Sequence, residues 1–307
     1  VDLDDDTYHI PDFSDLSPLV KSVRAIGIVN PPLLQERADG RMIPALGRKR
    51  LKAAAEAGID RTKAGILPAE MPRSDGFKLA FWDNIHRKSS NPASTAVLVK
   101  TLLEVFPRQV VADEFLPVLG VQPSGPRLER LKKMGGLEPS VLSALACGKL
   151  QERTAVILAE LTPHERLTLM EFTERLGLNA NKKAEVIGHL FDLSIVNSRS
   201  VLECLSDERV IQIVENSDAP LPERANRFRR FVRFLRFPEL ALREEEFNRW
   251  LGSVRPSNNV SVSPAPFFES GGYTVEARAA SLEEAERILR RLQETPTHEI
   301  PHRTNLD

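Results

Sequence analysis

From Pro107 to about residue 200 the chain carries helical patterns only, all short, separated by Gly, Pro and Ser. The predicted helices cover 108–119, 124–134, 138–146, 151–160, 163–176 and 180–195. A short helix with one apolar stripe is not stable alone in water, so this stretch must fold as a packed helical unit. The full 307 residues suffice for two or three domains. With 41% hydrophobic and 28% charged residues, they can bury real cores. No run of 18 apolar residues occurs, so no transmembrane helix or membrane partner is expected. Cys147 and Cys204 are the only cysteines, and neither sits in a CxxC or near a histidine at zinc spacing. That predicts no disulfide framework and no zinc site, and points to a reducing cytoplasm. No signal-peptide pattern is visible, and a chain beginning at Val1 leaves open what was trimmed before it. The net charge of −1 excludes a globally basic nucleic-acid binder but not local basic faces.

Before the helical stretch, an acidic entry (Asp2, Asp4, Asp5, Asp6) with Pro11 and Pro18 reads as extended. Leu19, Val20, Val23 and Ile26 predict an amphipathic helix over 17–26, ended by Gly27. A strand from Pro31, an Asp39-Gly40 hairpin turn and a return strand over 41–46 follow. A helix over 48–57 stops at Gly58, a second strand region covers 61–72, and helices follow near 75–87 and 92–106. After residue 198 come helices and a link, a basic, phenylalanine-rich stretch over 219–250, and a Ser/Asn/Pro loop holding one strand at Val260 and Val262. The end reads as strand, turn, strand and helix: Phe267-Phe268-Glu269, Ser270-Gly271-Gly272, 273–277 and 281–292. Ser281 with Glu284 forms a capping box, and Leu282, Ala285, Ile288, Leu289 and Leu292 form an apolar stripe. The tail from Pro296 reads as loose.

Two motifs carry chemistry. In Gly47-Arg48-Lys49-Arg50-Leu51-Lys52-Ala53, one glycine precedes four cations. Backbone N–H groups and guanidinium forks can then meet a phosphate chain. In Asp83-Asn84-Ile85-His86-Arg87, the Asp-Asn pair can hold a divalent metal on those phosphates through oxygen. On the residues alone the simpler reading comes first, a solvated basic helix face with Asp83-Asn84 as helix capping or surface, because short motifs often match by accident.

In order and spacing these pieces resemble the ParB family of bacterial partition proteins. The segment Leu19…Ser22-Val23…Gly27-Ile28-Val29-Asn30-Pro31-Pro32-Leu33-Leu34 is similar to the family's base-contacting "SI…GI…P…V" element. The Gly47 motif is similar to "GxRRxxA", and the Asp83 motif with Asn91-Pro92 to "ENIQR…LNP". The resemblance implies an α+β N-terminal domain of the ParB/sulfiredoxin fold over 1–106, binding CTP with Mg2+ and hydrolysing it slowly. Its nucleotide-binding residues would be Ser22, Gly27, Ile28, Pro31, Gly47, Arg48, Lys49, Arg50, Asp83, Asn84 and Arg87. Asn84 and Asp83 would be the metal ligands. Asp83 replaces the family's glutamate, and its early "QPR" element has no counterpart near Tyr8-His9-Ile10-Pro11. Binding without turnover therefore stays open, and no catalytic residue is named.

Residues 107–218 read as an all-α helix-turn-helix domain. A first helix over 114–119 and a turn at Gly120 precede a second helix capped by Ser124, with Pro126 in its first turn. Leu128, Leu131 and Met134 face inward and Arg127, Arg130, Lys132 and Lys133 outward. The run from Gly136 to Arg153-Thr154-Ala155 resembles the family pattern "LRLLxLPxxV…GxLxxxHAR". Implied contacts to double-stranded DNA are Ser124, Arg127, Arg130, Lys132, Lys133 and Arg153. The stiff Gln122-Pro123-Ser124-Gly125-Pro126 start departs from the family, and a helical bundle that binds no DNA also fits.

Over 219–255, Phe228, Phe231, Val232 and Leu235 predict a packed stripe, with Arg229, Arg233 and Arg236 on another face. Those arginines suit either water or a phosphate backbone. A membrane-surface helix is a further option, disfavoured because the stripe fits inside a helical domain. Residues 256–296 resemble the small ββα module through which the family forms homodimers, with 297–307 as a tail. The resemblance also implies a ParA-like ATPase partner, nucleoid association, and a role in chromosome or plasmid partition or in regulation. Two rivals remain. One is an enzyme of the same fold. Sulfiredoxin chemistry needs a cysteine that Leu46-Gly47-Arg48 lacks, Asp83 with Asp75 makes a poor nuclease site, and a small-molecule kinase stays open. The other is a helical adaptor with a degenerate nucleotide site.

Overall fold

A computed structural model describes residues 1–85, 91–216, 218–254, 259–269 and 272–294. It is rich in helix, with a few short strands. Contacts divide the chain into two compact units, Val1–Ile187 and Gly188–Asp307.

In the first unit, helix α1 (Ser17–Ile26) starts with Pro18 in its first turn and stops where Gly27 takes φ 72. Its Val20 and Val23 pack on Ala53 and Ala54 of α2 (Arg48–Glu56). Strand β1 (Leu33–Glu36) pairs antiparallel with β2 (Met42–Leu46) and parallel with β3 (Gly65–Leu67), giving the order β2-β1-β3. The hairpin turn falls at Asp39-Gly40 as predicted, with Gly40 at φ 79 and the Arg41 amide donating to Asp39 Oδ1 at 3.0 Å. The strand region expected over 61–72 narrows to Gly65–Leu67. Helix α3 (Arg73–Ile85) buries Phe77, Ala80 and Phe81, and α4 (Pro92–Val105) is capped by Asn91 Oδ1.

The helix predicted over 108–119 is irregular. A single turn, α5 (Arg108–Val110), passes into a π-helical turn at Val111–Phe115. The wider turn accompanies full burial of Val111, Phe115 and Leu116. Phe115 meets Phe81 and Phe106, each at a ring distance of 4.9 Å. Four further helices match the predicted spans: α6 (Gly125–Met134), α7 (Pro139–Ala146), α8 (Glu152–Glu160) and α9 (Pro163–Arg175). Helix α4 packs on α6 and α7, and α6 on α8. Helix α10 (Ala180–Asn197) contains the division between the units.

In the second unit, α11 (Val201–Leu205), α12 (Glu208–Glu215), α13 (Leu221–Arg236) and α14 (Pro238–Val254) precede β4 (Val260–Pro264), β5 (Tyr273–Ala277) and α15 (Leu282–Glu294). One pairing differs from expectation. The partner of β5 is β4, antiparallel, with Val262 opposite Val275. The predicted strand at 267–269 is instead a 3-10 turn, because Pro266 cannot donate to a ladder and Phe268 turns into a cluster with Phe247 and Trp250. The predicted turn at Ser270-Gly271 and the tail from 297 lie outside the described residues.

Candidate anion pocket

Strand β2 leads directly into Gly47, which adopts φ 81 and ψ 21 as the N-cap of α2. Glycine suits this left-handed turn, and a Cβ there would lie 2.9 Å from Arg50 Nη2, so another residue would also move the end of the arginine folded across it. Among the described residues no side chain caps α2. Its first-turn N–H groups and the positive end of its dipole therefore favour an anion. At the far end of α3, Asp83 and Asn84 are half-buried on the last turn. The Asn84 amide donates to the Ala80 carbonyl at 2.8 Å, leaving its Oδ1 out of that bond.

The two motifs meet. A cavity of about 710 Å³ is lined by Gly47, Arg48, Lys49, Arg50 and Lys52 on one side and by Asp83 and Asn84 on another. Tyr8 to Ser14, Leu16, Leu19, Pro44, Ala45, Asn91, Ser94 and Ala146 complete it. Positively charged groups and uncapped amides on one wall and two oxygen donors on the other suit a polyphosphate with a hard divalent cation. Asp83 and Asn84 offer oxygen donors of the kind Mg2+ takes.

Three of these cations are already engaged. Arg48 Nη1 contacts Asp6 at 2.6 Å and donates to the Asp5 carbonyl at 2.7 Å, and Nη2 donates to the Leu3 carbonyl at 2.5 Å. Lys49 Nζ contacts Asp12 at 2.8 Å and Ser14 Oγ at 2.5 Å. Arg50 donates to the Asn30 carbonyl. Burial alone would raise the Asp12 carboxyl, but hydrogen bonds from Lys49 and Ser14 outweigh it and hold the group below its usual range.

Other expected residues lie apart. Ser22, Gly27, Ile28 and Pro31 do not line the cavity. Ser22 and Pro31 are exposed on the surface, Gly27 ends α1, and Ile28 packs on the Val20 cluster. Arg87 lies outside the described residues. The wall from Tyr8 to Ser14 was not foreseen as part of the site; its local signal is Pro11 followed by the turn in which the Ser14 amide bonds Asp12 Oδ1 at 2.9 Å.

On α6, Ser124 Oγ accepts from the Arg127 amide at 3.3 Å, and Leu128, Leu131 and Met134 are buried as predicted. Arg130 and Lys132 are exposed. Arg127 pairs with Glu152 at 2.8 Å, Lys133 with Glu160 at 2.7 Å, and Arg153 Nε bonds Gln151 at 2.7 Å. On α13, Phe228 and Val232 are buried, while Arg233 forks onto Glu244 at 2.6 Å and Arg236 reaches Asp192 at 3.1 Å.

No family model matches the chain. Over 177 residues it is 28% identical to the probable chromosome-partitioning protein ParB of Pseudomonas putida, covering 57% of this chain and 52% of that protein. Over 91 residues it is 32% identical to the probable plasmid-partitioning protein ParB of Thermus thermophilus, 30% of each. A solved structure of C-terminally truncated ParB from Caulobacter crescentus, complexed with CTP-gamma-S, is 23% identical. It covers 52% of this chain and 87% of that one, at a TM-score of 0.23. The chain thus spans about half the length of the Pseudomonas relative. By sequence it is thus similar to ParB proteins over part of its length.

Proposed function

We propose that this ParB-like chain binds CTP with magnesium in the cavity at Gly47 and uses that binding as a switch on a DNA-binding dimer. The observation that carries the reading is the meeting, in one cavity, of an uncapped glycine-led helix start and an Asp-Asn pair at a helix end. In the proposed pose Gly47 and the α2 amides approach the phosphates, with Arg48, Lys49 and Arg50 as their cationic partners. Asp83 and Asn84 hold the magnesium ion; Arg87 and the segment with Ser22, Gly27, Ile28 and Pro31 are further candidate contacts. The finer fold is an α+β ParB/sulfiredoxin-like domain, a helix-turn-helix domain and a ββα module.

Exposed Arg130 and Lys132 on the Ser124-capped helix support a DNA-facing role for α6. Phosphates would replace the carboxylates now paired with Arg127 and Lys133, which makes binding salt-sensitive. Leu282 and Leu289 on α15 and Val275 on β5 stand at least half exposed, which supports burial against a second copy. The role is partition, or nucleoid-linked regulation, with a ParA-like ATPase as the further partner.

A thermal-shift comparison of CTP, ATP, GTP and UTP with magnesium tests the nucleotide. CTP alone raises the melting temperature, and Arg50→Ala abolishes the rise while the variant still melts cooperatively. A shift that survives in Arg50→Ala counts against this pose.

A further inference from the structure

The acidic start of the chain is tied to the pocket's cations on both sides of one anchor. That anchor is Tyr8, which is 3% exposed and donates to Gln35 Oε1 at 2.6 Å. Its ring lies where a Cβ on Gly76 would stand, 2.5 Å from Cε1. Gln35 in turn donates to the carbonyls of Pro68, Ala69 and Met71 at 3.1–3.2 Å. These contacts are between uncharged groups, so an arriving anion does not displace them by taking a cation.

The flanking contacts are of the opposite kind. Before Tyr8, Asp6 and the carbonyls of Asp5 and Leu3 hold the Arg48 guanidinium; after it, Asp12 and Ser14 hold Lys49. The Asp6 and Asp12 side chains are 74% and 42% exposed, against 14% and 33% for Arg48 and Lys49, so water reaches the carboxylate side of each pair. Arg48 Nε is buried with no hydrogen-bond partner among the described residues, so this arrangement does not fully satisfy the fork.

We infer that the segment from Asp2 to Ser14 is a built-in anionic competitor of the nucleotide. Asp6 and Asp12 occupy Arg48 and Lys49, two of the cations of the proposed phosphate site, and binding releases them while Tyr8 keeps the segment docked. The inference rests on the nucleotide reading above. It adds a threshold to that site: the phosphates must outcompete two tethered carboxylates. A polyanion has more charge and more acceptors than either carboxylate, so the exchange is possible at neutral net cost in cation desolvation.

The test is a calorimetric titration of CTP with magnesium into the full chain, its Asp6→Asn/Asp12→Asn double variant, and Asp39→Asn. Asparagine keeps the size and removes the charge. Asp39 pairs with Arg41 on an exposed hairpin outside the cavity lining and serves as the charge control. The double variant should bind on the order of five-fold tighter, the worth of one to two exposed ion pairs. The control should match the parent. Binding by the double variant alone would support the inference still more strongly. Equal or weaker binding by the double variant, with the parent binding normally, overturns the competitor and leaves the nucleotide site standing. If no form binds CTP, inorganic tripolyphosphate decides. Tighter binding of it by the double variant keeps the competitor and rejects CTP; no binding in any form overturns both.

Discussion

Gly47 is the residue on which the pocket turns, because its left-handed backbone both starts α2 and leaves room for the Arg50 side chain. Gly47→Ala is expected to cost about 1–2 kcal/mol for the left-handed turn. It also displaces Arg50, so melting temperature and CTP affinity should fall together. A variant melting like the parent would contradict this. Asp12 gives a pH signature. Its carboxyl is held below its usual range, so its stabilising contact is present above the unfolded value and lost as pH falls through the folded one. The stability gap between parent and Asp12→Asn should therefore be open at pH 7 and shrink below about pH 4. Melting curves across that range check it, and a gap independent of pH would contradict it. The cationic character of Arg48 and Lys49 was legible in the sequence. Their partners were not, since Leu3, Asp5, Asp6, Asp12 and Ser14 belong to an extended segment whose path no periodicity reports.

At the scale of elements, short helices with strong end signals were the legible part. Ser124 before α6, Thr162 before α9 and Gly27 after α1 mark their boundaries chemically. Elements set by tertiary packing were less legible. The π turn at Val111–Phe115 accompanies aromatic contacts from distant segments, and Phe267-Phe268 reads as strand until Pro266 and the cluster around Phe247 are considered. The seam between α4 and the end of α6 yields a further prediction. A Cβ on Gly135 would lie 2.4 Å from the Ala96 carbonyl oxygen, a backbone atom that cannot move aside without shifting α4. Gly135→Ala should destabilise by about 1–3 kcal/mol, read as a lower denaturation midpoint. An unchanged midpoint would mean that the helices do not approach so closely.

For the whole molecule, the order of the motifs was more informative than any one of them. Gly47 and Asp83 stand on different elements, and the fold of the first unit brings both to one cavity. The wall from Tyr8 to Ser14 and the displacement of Ser22 and Pro31 from that cavity depend on how the segments before and after α1 pack, which local pattern does not encode. Among the described residues no helix is long and apolar enough to cross a membrane. The net charge of −1 leaves any DNA affinity to local faces such as α6. A calorimetric titration of CTP into the parent chain, with and without magnesium, decides the proposed nucleotide site. Saturable heat with CTP that disappears without magnesium and is much smaller with ATP or GTP is expected; no heat with CTP, or the same heat with all three, would rule the site out.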